Sequence, residues 1–363
     1  MTASDRAPTL GTLDGDGSRE TGRPAGSRAG RGSAYAALSR QVRQAGLLDR
    51  RPGYYAARIG LNAVMLAAGW TAFFLLRDSW WQLATAVWLA VAFAQTAFLG
   101  HDAGHRQIFR RRRANDLVGL VHGNLLIGLS YGWWVGKHNR HHSNPNHEDL
   151  DPDVTIGTVA FTADQARARH GLTRLMARYQ AYLFFPLLTL EALHLHGASV
   201  KAVLRNTVRS RSLEALLLLA HLAGYLTALL LVLSPLRAAV FVIVQQGLFG
   251  LYLGCAFAPN HKGMPMLTEA DELDYLRRQV LTSRNVRGSR VVDFVLGGLN
   301  YQIEHHLFPS MPRPNLRRSR PLIRAFCLQH GLTYQESTLL GSYAQALRHL
   351  HAVGAPLRPA PAD

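Results

Sequence analysis

The sequence is short of charged residues and of cysteine, and each shortage excludes a class of protein. Charged residues make up 17% of the 363 residues, whereas about 25% is usual in a soluble domain. Only two cysteines are present, Cys255 and Cys327, and their spacing is not that of a CxxC motif. A disulfide scaffold, a cysteine-based zinc module and a thioredoxin-like redox site are therefore excluded.

The apolar residues are gathered in four long runs, at residues 54–76, 80–99, 213–233 and 236–258. Each run has about 20 residues, which is long enough for a helix to cross the hydrocarbon core of a bilayer. The connection within each pair of runs is very short, so each pair is predicted to form a transmembrane hairpin. Two weaker apolar stretches, at residues 117–135 and 179–195, contain Gly, Pro or His. They are predicted to be interfacial or partly inserted.

The flanks of these runs are polar. Residues 1–33 hold almost no large apolar side chain, which predicts a disordered tail. A membrane domain is expected over residues 34–345 and a C-terminal tail over residues 346–363. Basic residues avoid the two hairpin turns, where only Arg77 and Arg237 lie, so the positive-inside rule assigns both termini and the middle loop to the cytoplasm.

The net charge of +17 is explained by this bias together with contact with anionic membrane lipids. Nucleic-acid binding is not expected, because the charge flanks apolar spans instead of lining one soluble face. The expected fold class is an all-α integral membrane protein. It would have four transmembrane helices in two hairpins, interfacial helices and a cytoplasmic cap rich in histidine.

Histidine is the most unusual feature of the composition, with 17 residues in the chain. Seven of them fall in three short motifs, which are HDAGH at 101–105, HNRHH at 138–142 and QIEHH at 302–306. The charge pattern assigns all three motifs to the cytoplasmic side. A structural zinc site needs only four ligands, so seven histidines indicate a polynuclear site. Neutral imidazole binds Fe, Cu, Zn and Ni, so the ligand type does not choose the metal.

The spacing within the motifs supports shared ligation of a metal. In a helix, residues three or four apart lie on one face, so His101 pairs with His105. For the same reason, His138 shares a face with His141 or His142. The adjacent histidines of the third motif cannot share one helix face closely, but they can serve two neighbouring metal ions.

The motifs and the residues around them resemble the membrane fatty acid desaturase family. The resemblance covers roughly residues 54–334, and includes HNRHHSNPN at 138–146, the acidic stretch 148–153 and NYQIEHHLFPSMPRPNL at 300–316. The third motif has Gln302 in place of a first histidine. This feature is similar to the front-end, linoleoyl-CoA-desaturase-like branch of the family.

The resemblance implies a non-haem centre of two iron ions that uses O2 and two electrons to desaturate a fatty acyl chain. It also implies a further histidine after the fourth span, matched here by Asn260-His261. The implied ligands are His101, His105, His138, His141, His142, His261, His305 and His306. The residues expected to orient them are Asp102, Glu148, Asp149, Asp151, Asp153, Asn260, Gln302 and Glu304.

The resemblance also implies the partners of the protein. These are O2, membrane lipids and a fatty acyl group carried on CoA or on a lipid. Eukaryotic front-end desaturases often carry a fused cytochrome b5 domain with an HPGG motif, which this sequence lacks. A separate ferredoxin, flavoprotein reductase or cytochrome b5-like protein is therefore expected to donate electrons. The composition, rich in Ala and Arg, is typical of a high-GC bacterium, so the expected location is a bacterial inner (plasma) membrane.

Other functions remain open from the sequence. A hydroxylase or ketolase acting on lipids, carotenoids or alkanes would use the same scaffold and the same abstraction of hydrogen. A membrane zinc hydrolase would need three protein ligands and a general base, and no HExxH motif is present. A haem-b electron carrier would need axial histidines in the middle of spans, where only His221 lies.

Overall fold

The structure is a computed structural model that describes residues 31–155 and 158–359, and helices make up most of it. The first eight helices are α1 (Arg31–Gln44), α2 (Pro52–Leu76), α3 (Gln82–Gly104), α4 (Arg112–Gly119), α5 (Tyr131–Ser143), α6 (Ala163–Arg167), α7 (Gly171–Arg178) and α8 (Gln180–Leu188). The other eight are α9 (Glu191–Leu204), α10 (Arg211–Val232), α11 (Pro235–His261), α12 (Tyr275–Leu281), α13 (Arg290–Val295), α14 (Gln302–Leu307), α15 (Arg313–Gln329) and α16 (Leu339–Val353).

Four smaller elements complete the described chain. A π-helical segment, Leu120–Leu126, follows α4, and a short 3-10 turn, Ala355–Leu357, follows α16. Two short strands, β1 (Asn285–Val286) and β2 (Glu336–Ser337), pair in parallel. The predicted all-helical class is therefore confirmed in its main feature, since the strands hold only two residues each.

Within residues 31–155 and 158–359, four helices are long and apolar enough to cross a membrane, and they are α2, α3, α10 and α11. Proline stands in the first turn of α2 and of α11, at Pro52 and Pro235, where its missing N–H costs no helical hydrogen bond. The four predicted spans are therefore confirmed as helices of membrane length. Helix α3 is the most buried of the four and packs against both α2 and α11.

Two of the spans extend further than the hydropathy pattern predicts. Helix α3 continues past residue 99 to Gly104, and α11 continues past residue 258 to His261. Helix α11 tolerates Pro259 near its end and closes with a bond from Lys262 N to Ala258 O at 3.2 Å. His101 and His261 consequently lie in the last turns of two helices of membrane length.

The two short connections between the spans meet at one end of the bundle. Asp78, between α2 and α3, accepts hydrogen bonds from Ser234 N at 2.9 Å and from Arg237 at 2.5 Å. The second pair is more open than the predicted hairpin, because α10 packs mainly against the π-helical segment and contacts α11 little. The stretch at 179–195 contains a 68° bend between α8 and α9, and its interfacial location stays a prediction.

The structure describes almost none of the predicted N-terminal tail but most of the predicted C-terminal tail. The disordered tail predicted over residues 1–33 falls almost entirely outside the described residues, since α1 begins at Arg31. The boundary predicted between residues 345 and 346 falls inside α16. Leu350 of that helix is fully buried beside Val154 and Ala258, so α16 is packed on the membrane domain as far as its end.

Candidate metal centre

All eight histidines expected as ligands lie together in the structure, although they come from four separate elements. Seven of them form two groups, in each of which the donor nitrogens lie within 4.8 Å of one another. The first group consists of His101, His105, His138 and His305. The second group consists of His141, His261 and His306. The adjacent residues His305 and His306 on α14 thus belong to different groups, one on each side of the helix.

His142 lies between the two groups. Its ring stacks on the ring of His306 in the second group, with the centroids 4.2 Å apart. On the other side, its Nε2 atom is 3.1 Å from Nε2 of His138 in the first group. Helix α5 therefore supplies His138 to the first group, His141 to the second and His142 to the boundary.

The imidazole rings of the second group are oriented by hydrogen bonds at Nδ1, the nitrogen opposite the one available to a metal. Each of the three histidines places Nδ1 within hydrogen-bond distance of an oxygen atom. These contacts are His141 with Asp151 at 2.9 Å, His261 with Thr282 O at 3.0 Å and His306 with Gln279 Oε1 at 2.9 Å. Donation from Nδ1 leaves the Nε2 lone pair free for a metal. The Nε2 atoms of His261 and His306 are 3.1 Å apart, so the two rings converge on one point.

The first group has buried nitrogen atoms without any hydrogen-bond partner among residues 31–155 and 158–359. They are Nε2 of His101, Nε2 of His105 and both ring nitrogens of His305. A buried polar atom left unpaired costs about 1–3 kcal/mol, so several of them within one small space need an explanation. A bound metal ion would supply it for Nε2 of His101, Nε2 of His105 and one ring nitrogen of His305, because each of these lone pairs would gain a partner.

Burial keeps most of these imidazoles neutral, as metal ligation requires. It lowers the pKa of five of them well below the usual range, and neighbouring histidines lower it further: His105, His138, His142, His305 and His306. The pKa of His141 is instead raised. Burial lowers it, but the charge of Asp151 and the hydrogen bond to that carboxylate outweigh the effect of burial.

Two of the carboxylates predicted to orient the ligands, Asp149 and Asp151, lie in different surroundings. Asp151 contacts His141, whereas Asp149 is exposed. The reason is the turn after α5, in which the Asp151 carboxylate accepts the N–H groups of Asn146 at 2.8 Å and Asp153 at 2.9 Å. These bonds turn Asp151 inwards and leave Asp149 on the surface.

Two other predicted carboxylates lie at the edge of the site. Asp153 pairs with Lys137 and approaches Nδ1 of His141 to 3.5 Å. Asp102 forms a buried ion pair with Arg313 at 2.7 Å, and lies 3.4 Å from Nδ1 of His101. Asp102 therefore contacts a predicted ligand, although its shorter contact is with Arg313.

The two predicted amides lie beside the second group. The Nε2 atom of Gln302 is 2.8 Å from Nε2 of His261. Asn260 donates to Leu299 O at 3.1 Å, and its Nδ2 atom is 3.5 Å from Oε1 of Gln302. Gln302 therefore reaches the space between the ring nitrogens, whereas Asn260 lies behind it.

Glu304 points away from the histidines and supports α14 instead. It accepts hydrogen bonds from Tyr334 OH and from Asn285 Nδ2, the latter at 2.7 Å. Asn285 in turn accepts the N–H of Ile303 at 2.9 Å, at the start of α14. Burial raises the pKa of Glu304 to about 7, although the two hydrogen bonds oppose this effect.

Sequence reasoning missed Gln279 and Thr282, which orient His306 and His261. Both lie in or just after α12, away from every histidine motif, and Thr282 acts through its backbone carbonyl. Every residue has a backbone carbonyl, whatever its side chain, so no sequence signal could have identified the contact of Thr282. Glu148 is also predicted to orient a ligand. It lies in the turn before Asp151, where its backbone N–H donates to Leu267 O at 2.9 Å.

A cavity of about 300 Å³ adjoins the first group. Its lining includes His105 and the polar side chains of Arg106, Arg112, Tyr131 and Asn139. The cavity therefore gives a polar approach to one of the two histidine groups.

Comparison with known proteins assigns the chain to a class. A family model described as fatty acid desaturase matches residues 78–338. The acyl-lipid (9-3)-desaturase of Physcomitrium patens is 31% identical over 83% of this chain and 58% of that protein. The delta(6)-fatty-acid desaturase fat-3 of Caenorhabditis elegans is 30% identical over 87% of this chain and 74% of that protein. The fatty acid desaturase 3 of Bos taurus is 31% identical, over 88% and 72%.

These matches define a membrane-embedded oxidoreductase that acts on fatty acyl chains. The chain belongs to the fatty acid desaturase family, and the resemblance predicted from the histidine motifs is confirmed. The chain spans between 58% and 74% of the length of the three relatives. Members of the family generally use iron and take a fatty acyl substrate, O2 and electrons from a donor.

Proposed function

We propose that this protein introduces a cis double bond into a fatty acyl chain at a centre of two iron ions. The observation that carries the proposal is the convergence of seven histidines in two adjacent groups, with His142 between them. Seven or more nitrogen ligands are too many for one ion and suit a pair. The desaturase family of the chain favours iron over the other metals that imidazole binds.

Each group would hold one ion. His101, His105, His138 and His305 would bind the first, and His141, His261 and His306 the second, with His142 between them. Bound iron supplies the activation of O2 and the removal of hydrogen from an unactivated methylene, which no amino-acid side chain can perform. The residues of the chain hold the ligands in place, and the apolar helices α3 and α11 exclude water from the acyl chain.

Gln302 would complete the second group. Because the oxygen and nitrogen of a carboxamide are assigned from their surroundings, a rotated amide would turn Oε1 towards the ring nitrogens of His261 and His306. Either orientation keeps the amide within contact distance of His261. We propose that Gln302 directs an oxygen, its own or that of a water, to the second ion.

The proposed orientation places both termini and the metal centre in the cytoplasm. This orientation is supported by the hydrogen bond that Ser234 N donates to Asp78. The contact brings the two turns that are poor in basic residues to the same end of the helix bundle. The acyl group would be carried on CoA or on a lipid, and a ferredoxin, flavoprotein reductase or cytochrome b5-like protein would donate electrons. We also propose a bacterial inner membrane as the location. This proposal rests on composition alone, since the three relatives come from a moss, a nematode and cattle.

The test is a lipid profile of a host that expresses the chain together with a ferredoxin and its reductase. Mass spectrometry that locates double bonds should find a new unsaturated acyl chain, absent when the host expresses His305→Ala. A hydroxylated product in place of the double bond would replace the desaturase assignment by a hydroxylase on the same scaffold. Iron-loaded protein that gives neither product with an acyl-CoA or an acyl-lipid would contradict the proposal.

A further inference from the structure

Arg284 is a fully buried arginine, with 0% of its surface exposed. It lies between α12 and α14, and no carboxylate within the described ranges approaches its guanidinium to 4 Å or less. Burying an unpaired charge is costly unless its hydrogen bonds are satisfied. The location of the acceptors of this guanidinium therefore indicates its role.

The acceptors include the last carbonyl groups of α11. Nη2 of Arg284 donates to Pro259 O at 2.6 Å and to Lys262 O at 2.9 Å, and Nε donates to Pro259 O at 3.2 Å. The C-terminus of a helix carries a partial negative charge and leaves carbonyl groups unpaired. The positive guanidinium of Arg284 complements this partial charge and donates to two of the carbonyl groups, those of the residues that flank Asn260 and His261.

The guanidinium is also held on its far side by α16. Nε donates to Ser342 Oγ at 2.8 Å, and Nη1 donates to Gln345 Oε1 at 2.8 Å. Burial lowers the pKa of Arg284 to about 10, so the side chain stays charged at neutral pH. The residue thus joins the end of α11 to the C-terminal helix through one rigid planar group.

The backbone next to Arg284 orients His261 as well. Arg284 N donates to Asn260 O at 2.8 Å, and Thr282 O contacts Nδ1 of His261 at 3.0 Å. The segment 282–284 therefore fixes the backbone of His261 on both sides and the rotation of its ring. None of these contacts involves a histidine of the first group.

We propose that Arg284 is a positioning residue for the second histidine group, and that it sets the affinity of that group for its metal through His261. The proposal rests on the two-iron centre proposed above. Lysine cannot replace Arg284, because a single ammonium cannot reach Pro259, Lys262 and the side chains of α16 together. Loss of the contacts would free the end of α11 and leave the other seven contributing histidines in place.

The experiment measures iron per chain in full-length protein purified in detergent, and the rate at which a chelator removes each iron. The variant is Arg284→Lys, and the matched control is Arg287→Lys, an exposed arginine three residues further on. Unchanged protein and the control should hold two irons. Arg284→Lys should hold one, with the affinity of the second site reduced about 10- to 100-fold, as for other residues behind a metal ligand.

His261→Ala serves as the reference for loss of the second site alone. Arg284→Lys should match it, both in iron content and in a Mössbauer spectrum that changes from a coupled pair to an isolated ion. Two irons released at the unchanged rate would overturn the proposal. Equal loss of both irons would also overturn it, because that result indicates a merely structural role.

A second variant covers the case in which Arg284→Lys does not fold. Ser342→Ala removes one acceptor of the guanidinium and leaves every histidine in place. It should speed the release of one iron and increase hydrogen exchange at residues 258–262, and unchanged release would overturn the proposal. Fewer than two irons in the unchanged protein would instead contradict the two-iron centre itself, so the two failures are distinguishable.

Discussion

Asp151 holds His141 in a single orientation within the second histidine group. The two carboxylate oxygens lie 2.9 and 3.0 Å from Nδ1 of the ring, and Asp151 is fully buried. Its own position is fixed by the N–H groups of Asn146 and Asp153. A carboxylate behind a ligating imidazole fixes the tautomer and raises the basicity of the metal-binding nitrogen.

Replacing Asp151 should therefore weaken the second metal site more than any other change to the acidic stretch at 148–153. Asp151→Asn is expected to lower metal affinity by about 10- to 100-fold, because the amide holds His141 less firmly and with no charge. Asp149→Asn is the matched control, since that side chain is exposed. Metal content after dialysis against a chelator measures both. Equal losses in the two variants would contradict the role given to Asp151.

Removing a ligand of the first group should abolish turnover without preventing insertion into the membrane. His305→Ala leaves α14 in place, because Glu304 and Asn285 still hold its first turn. Desaturation of acyl chains in membranes should fall to background and iron content should drop. His351→Ala, at an exposed position on α16, should keep both. Full activity in His305→Ala would remove that residue from the ligand set.

Glu214 should affect both groups at once, because it supports the start of α5. Its carboxylate is buried and accepts hydrogen bonds from Ser130 Oγ at 2.5 Å, Asn124 Nδ2 at 3.1 Å and Gly132 N at 3.3 Å. Glu214→Ala leaves these donors unpaired, at a cost of about 1–3 kcal/mol each for a buried group. The thermal midpoint in detergent should fall, and by less in Glu214→Gln.

The control for this change is Asp164→Asn, which affects only an exposed pair with Arg167. It should leave the thermal midpoint unchanged. Release of iron should become faster at both sites in Glu214→Ala, because α5 provides ligands to both groups. Loss at one site alone would show that α5 does not move as a unit.

The orientation in the membrane gives a further prediction. A reporter fused after the last residue should be active in the cytoplasm, and a reporter inserted at the Asp78 turn should be active on the opposite side. Lys and Arg are rare at the two turns and frequent elsewhere, which favours this arrangement. Reversed signals would separate the histidine groups from the side on which soluble electron donors are found.

Much of this architecture is readable from the sequence, because its causes are local. Four apolar runs of membrane length predict the four long helices, and histidines four residues apart predict shared faces. Hydropathy predicts the ends of α3 and α11 too early, since hydropathy falls at His101 and at Pro259 while the helical hydrogen bonds continue. The polar residues of each last turn belong to the metal centre and still form the helix.

The contacts behind the ligands are less readable. Asp149 and Asp151 have the same side chain two residues apart, and only the turn that buries Asp151 distinguishes them. Arg284 is one of many arginines in the sequence, and its role depends on the end of α11 and on α16, which are distant along the chain. Such roles are set by tertiary packing, so residue type and spacing do not reveal them.

The most direct test of the central claim is the iron content of the purified full-length protein, measured per chain by elemental analysis. The two histidine groups predict two iron ions per chain, and His305→Ala and His261→Ala should each lower that number. One iron per chain, or zinc in place of iron, would contradict a two-iron centre built from these eight histidines.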